Sequence, residues 1–246
     1  MNAKTSGSRI FFRILGLGFL LATVFTLWPR PGETFGGWNA SLTVLLTPAV
    51  APTAGSQVLR VGIVAGHMGN DSGAVCYDAA GNVLLTEADM NYRIASLVQE
   101  KLKNKGFQVD LLQEFDTRLN GYRAVALISI HNDSCEYVNE EATGFKVAAA
   151  SNGYDPNRAM RLTECLRDRY GRLTGLRFHA GSITRDMREY HAFSEIDPGT
   201  VAAIIETGFM YRDREYLLNN TDRVAEGIAQ GVLCFVYNES IEPAAP

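Results

Sequence analysis

AVALISIHND, residues 124–133, stays apolar from Ala124 to Ile130 with only Ser129 between, then delivers an imidazole, His131, where the chain turns polar. A short apolar run of this kind is the pattern of a strand buried on both faces. Similar runs lie on either side of it. VLRVGIVAG (58–66) alternates and is β-branched, and FQVDLL (107–112), GFKVAAA (144–150) and VAAIIETG (201–208) read as further strands. Between them come helical patterns. Thr86 is an N-cap with Asp89 three residues on, followed by Met90, Ile94, Leu97, Val98 and Leu102 on one face up to Gly106. Asp155 caps a helix with Pro156 at its first position and Met160, Leu162, Cys165, Leu166 and Tyr170 along it. Thr221 opens a last helix whose Val224, Ile228, Val232 and Phe235 face inward. Strands alternating with helices imply an α/β domain with a largely parallel, open sheet and helices on both faces.

An open parallel sheet binds ligands in the crevice beyond the carboxyl ends of its strands. His131 stands at such an end, as do His67, just after the first strand, and Glu206, closing VAAII. Glu87 follows the N-cap of the first helix and faces the same rim. Two histidines and two glutamates at one edge suit zinc hydrolysis: three ligands fix the ion, and one further carboxylate handles protons. The glycine-rich loop GHMGNDSGA (66–74) lacks both G-x-G-x-x-G and G-K-[ST], which argues against a phosphate cradle.

Outside this unit, Lys4, Arg9 and Arg13 lead into the uncharged run Ile14–Trp28, closed by Arg30. Residues 1–30 therefore read as a cytoplasmic tip with a membrane anchor or export signal. No small-x-small cleavage site follows closely, which favours the uncleaved anchor and places the rest of the chain outside the cytoplasm; cleavage would make it secreted. Residues 31–57, rich in Pro, Gly, Ser, Thr and Ala, read as a flexible linker, 58–238 as the folded unit and 239–246 as a disordered tail. A net charge of −4 without a Lys/Arg cluster argues against nucleic acid as a partner.

Four cysteines in an exported chain allow up to two disulfides. Cys76 and Cys135 each lie a few residues past one of the rim histidines, so they are close if those histidines meet, and they are the expected disulfide pair. Cys165 and Cys234 occupy apolar helix positions and read as small buried thiols.

The segments VGIVAGHMGNDSGA, LLTEADMNYRIASLVQEKLKNKGFQVDLL, ALISIHND and IIETGFM resemble, in order, landmarks of the zinc-dependent N-acetylmuramoyl-L-alanine amidases of bacterial cell walls. The resemblance covers most of residues 58–237. It implies a Zn2+ ion held by His67, Glu87 and His131, with Glu206 as the catalytic carboxylate, and peptidoglycan as the substrate. The bond cut would join the lactyl group of N-acetylmuramic acid to the L-alanine of the stem peptide. It also implies an unidentified regulator, because the family often restrains its site with a blocking helix or a partner.

The sequence departs from the family pattern at Ala65, Ala88 and Asn132-Asp133, positions expected to line the cleft, and its segment EFDTRLNGYR (114–123) is short. In HAGSITRDMREYHAF (179–193), Arg185, Tyr190 or His191 would hold substrate, or the segment is a surface loop with an aromatic lid on the core. Asp71 would orient a ligand histidine or merely turn its loop. The same zinc site on another cell-wall amide would make the protein a peptidase or deacetylase, and loss of catalysis would leave a wall-binding module.

Overall fold

The structure, a computed structural model, describes residues 58–241. The segments read as anchor (1–30) and linker (31–57), and the end of the tail (242–246), lie outside the described residues. Among the described residues no helix is long and apolar enough to cross a membrane.

The chain forms β1 (Arg60–Ala65), a hairpin of β2 (Val75–Tyr77) and β3 (Val83–Thr86), α1 (Glu87–Lys103), β4 (Gln108–Leu112), β5 (Ala126–Asp133) and β6 (Lys146–Ala149). There follow α2 (Pro156–Thr174), two short helices, α3 (Arg185–Arg188) and α4 (His191–Glu195), then β7 (Val201–Phe209), α5 (Arg214–Asn219) and α6 (Thr221–Val236). The central sheet runs β4-β1-β5-β7-β6. All its pairings are parallel except that of edge strand β6 with β7. β5, the strand of the apolar run, is buried along nearly its whole length, as a central strand covered on both sides must be.

The helices start where their side chains satisfy the first free amides. Thr86 is extended and its side chain accepts from the Asp89 N–H, while Asp155 accepts from the N–H groups of Asn157 and Arg158 ahead of Pro156.

Alternation along the strands sorts the core into two. Val61, Ile63, Ala126, Ile128, Ala203 and Ile205 point toward α1, α2 and α6, whose Ile94, Leu162, Leu166 and Ile228 are fully buried. Each such side chain contributes on the order of 1.5–3 kcal/mol. Val64, Leu127, Ala202 and Ile204 point the other way, to a smaller core closed by Leu119, Tyr122, Met187, Phe193 and Ile196. Helices do cover both faces, but the second is covered only by α3, α4 and irregular chain. The 179–193 segment thus packs its Met187, Ala192 and Phe193 on the core.

Two expectations need correction. Cys165 and Cys234 are not free thiols: they form a disulfide joining α2 to α6, with Cα atoms 5.7 Å apart. Their apolar helix positions show that both face inward, but that the two helices face each other is a tertiary fact. Met160, placed on the apolar face of α2, is exposed. At the chain's far end, Glu239 and Ser240 are held by Arg161 and Arg169, and Ile241 packs on the main core.

Candidate metal centre and catalytic site

The sheet order places the carboxyl ends of β1 and β5 side by side, and the residues leaving them meet. His67 leaves β1 through Gly66, where a Cβ would stand 2.3 Å from the His131 ring, so only glycine lets the loop pass over that imidazole. His67 itself has φ 64, in the left-handed region that costs a residue with a side chain about 1 kcal/mol. Hydrogen bonds offset this. Its N–H donates to Glu114 Oε2 at 2.6 Å, and its carbonyl accepts from the N–H groups of Asn70 and Asp71. His67 Nδ1 lies 2.6 Å from Asp71 Oδ1, which leaves Nε2 turned to Glu87 at 3.3 Å.

Glu87 is the first residue of α1, where the helix dipole favours a negative charge. Its Oε2 accepts from the Ala74 N–H at 3.0 Å, and its Oε1 from the Asn132 N–H at 3.1 Å and Asn91 Nδ2 at 3.2 Å. Gly73 allows this approach, since a Cβ there would lie 2.6 Å from Glu87 Oε2. His131 Nδ1 completes the group, 3.2 Å from Glu87 Oε1. One ligand atom from each of His67, Glu87 and His131 falls within 4.8 Å of the others.

The charges say what this cradle wants. Hydrogen bonding to Glu87 raises His67 to about 9, against the opposing effect of its burial. Burial alone would raise the Glu87 carboxyl, yet the bonds from His131 and His67 outweigh it and hold it far below the usual range. The site therefore keeps Glu87 anionic and stabilises positive charge beside it, a proton on His67 or a cation in its place. Two imidazoles, one carboxylate and an Asp71 carboxylate behind one ring fit a zinc ion.

Glu206 sits on β7 opposite His131 in the strand register. Its Oε2 is sealed from solvent with no hydrogen-bond partner. Burial pushes the carboxyl up to about 7; His131 opposes this and the Glu87 charge adds to it. Lys146, opposite Glu206 on β6, is ion-paired with Asp133.

The other expected site residues each have protein partners of their own. Asn132 is buried, not in a cleft: its amide bonds Asn91 Oδ1 and the Thr207 hydroxyl, while its main chain holds Glu87. It lies on the alternation of Ile128 and Ile130, which face the main core, and meets Asn91 of α1 there. Arg185 is exposed and paired with Glu189. His191 has both ring nitrogens occupied, by Glu195 and by Glu114, each at 2.9 Å, and stacks on Phe115. Cys76 and Cys135 form a disulfide with Cα atoms 5.3 Å apart, tying β2 to the loop after β5. Sequence reasoning missed Asn91, one turn beyond Glu87, and Glu114, two residues past the end of β4. The rim rule that found His67 could have found Glu114. A cleft of about 590 Å³ along α2, lined by Phe145, Arg161, Arg167 and Phe178, contains none of the four rim residues.

An α/β domain that gathers two imidazoles and two carboxylates at its strand ends has the donor set of a metal-dependent hydrolase. The chain belongs to the N-acetylmuramoyl-L-alanine amidase family (Amidase_3), which matches residues 61–234, and it is an enzyme of that class. No curated protein matches it by sequence. Among solved structures, it is similar to an N-acetylmuramoyl-L-alanine amidase from Clostridium difficile 630, with 24% identity, 74% of this chain and 99% of that chain covered, and a TM-score of 0.57. The CwlD amidase from Clostridioides difficile, solved in complex with the GerS lipoprotein, gives 17% identity, 73% and 99% coverage, and 0.56. The Ami1 amidase from Mycobacterium smegmatis gives 15%, 73% and 97%, and 0.54. At these identities the likeness shows the fold.

Proposed function

We propose that the protein hydrolyses the amide between the lactyl group of N-acetylmuramic acid and the L-alanine of peptidoglycan stem peptides, with zinc held by His67, Glu87 and His131. The observation that carries this reading is the meeting of those three donors within 4.8 Å, beside a half-buried carboxylate in register with one of them. Bound zinc would supply a Lewis acid for the scissile carbonyl and would make the attacking water more acidic. Glu206 takes the proton of that water and returns it to the departing L-alanine amine. Burial raises its proton affinity above that of an exposed carboxylate, which favours uptake of the proton. Asp71, Asn91 and the Asn132 N–H keep the donors oriented throughout.

The same proposal places the enzyme outside the cytoplasm, anchored by residues 1–30, with residues 31–57 as the tether, and under the control of a regulator not yet identified. Mass analysis of digested purified peptidoglycan tests the chemistry. Free stem peptides beginning at L-alanine are expected. Shortened stems with the lactyl link intact would mean a peptidase, and deacetylated glycan a deacetylase.

A further inference from the structure

We infer that Glu114 is a positioning carboxylate that fixes both histidine donors of the site, one through its main chain and one through its ring, and that His191 clamps Glu114 for the purpose. The inference rests on the zinc reading above. Glu114 Oε2 accepts the His67 N–H at 2.6 Å, and the Glu114 N–H donates in return to the carbonyl of Met68 at 3.1 Å. This reciprocal pair locks the loop in which His67 holds its left-handed backbone.

The same Oε2 lies 3.9 Å from His131 Nε2, a buried nitrogen with no hydrogen-bond partner. If a cation takes His131 Nδ1, the ring proton must sit on Nε2, and Nε2 then needs an acceptor. Glu114 is the carboxylate facing it. Its other oxygen, Oε1, is bonded to His191 Nε2 at 2.9 Å, and His191 Nδ1 is bonded to Glu195. Tyr190 closes the pocket with its ring 5.4 Å from that of His131. A buried carboxylate bonded to the main chain of one donor and turned to the ring of another sets the angle between them. A carboxylate placed only for stability would have no reason to bond one and face the other.

The test uses the full chain in detergent, with zinc affinity read by competition against a chromogenic chelator and the ligand field read from the visible bands of the cobalt-substituted protein. Wild type should bind zinc, and Glu114→Gln should bind it about tenfold to a hundredfold more weakly with shifted cobalt bands. His191→Gln should show the same two changes to a smaller degree. A folded E114Q whose zinc affinity stays within about twofold of wild type, with an unchanged cobalt spectrum, overturns the inference, even if its melting temperature falls. Should E114Q fail to fold, H191Q decides by the same two readings. A wild-type protein that binds no zinc overturns the zinc reading and this inference together; wild-type binding with an unchanged E114Q removes only the role of Glu114.

Discussion

One face of the central sheet meets α1, α2 and α6 through side chains that are almost all apolar, and a disulfide joins two of those helices. The other meets two helices of four and five residues and carries His131, Glu206, Ser129 and Lys146 on the same alternation as Leu127 and Ile204. Of six buried side-chain polar atoms without a partner among the described residues, four lie on this second side: Ser129 Oγ, His131 Nε2, Tyr190 Oη and Glu206 Oε2. Leaving such an atom unmet costs roughly 1–3 kcal/mol. The long-helix face supplies the stability that lets the other face hold unsatisfied, reactive groups.

That division can be broken by substitution. The largest effect is expected at the reactive face: Glu206→Gln should lower peptidoglycan cleavage about 10²- to 10⁴-fold while zinc stays bound. Retained turnover would mean that another group moves the proton. On the helical face, replacing Cys165 and Cys234 by alanine releases a chain loop of 69 residues, worth about 4 kcal/mol in urea unfolding, with activity kept while the protein is folded. The Cys76–Cys135 pair closes a loop of 59 residues, close in length, but it holds the hairpin that leads into Glu87. Its removal should weaken zinc binding as well as folding, and equal effects of the two pairs on zinc would blur the contrast between the faces.

Thr86→Ala, at the cap where the helical layer feeds Glu87 to the site, should cost about 1 kcal/mol and loosen zinc by a modest factor. The smallest effect concerns Asp110, bonded to Arg60 and the Tyr122 hydroxyl. Burial opposes its ionisation, but those bonds hold its carboxyl below the ordinary value. Because the folded pKa is the lower one, the pair stabilises above about pH 4 and fades as pH falls through that folded value. The stability gap between wild type and Asp110→Asn, no more than about 1 kcal/mol at neutral pH, should close on acidification.

The same contrast explains what could be read from the letters. β1, β4, β5, β7, α1, α2 and α6 announce themselves because each is long enough to show a period against a buried partner. Gly66-His67 and Ile130-His131 are legible since a polar residue able to ligate a metal follows closely on an apolar run. The β2–β3 hairpin is three residues paired with four, with Tyr77, Val83 and Leu84 exposed, so it has no alternation to detect. α3 and α4 are too short for a helical period. Cys165 and Cys234 could be seen to face inward but not to face each other. Asn132 follows Ile128 and Ile130 on the alternation that faces the main core, so its burial is legible, whereas its partners Asn91 and Thr207 come from other elements and are not; Glu114 stands two residues past a strand end, as His67 does, and is open to the same rim rule.

X-ray data collected at the zinc absorption edge from crystals of the zinc-loaded protein would locate the ion. One anomalous peak is expected, enclosed by His67 Nε2, Glu87 and His131 Nδ1, next to Glu206. A peak bound elsewhere, or none at that place in zinc-saturated crystals, would contradict the proposed site.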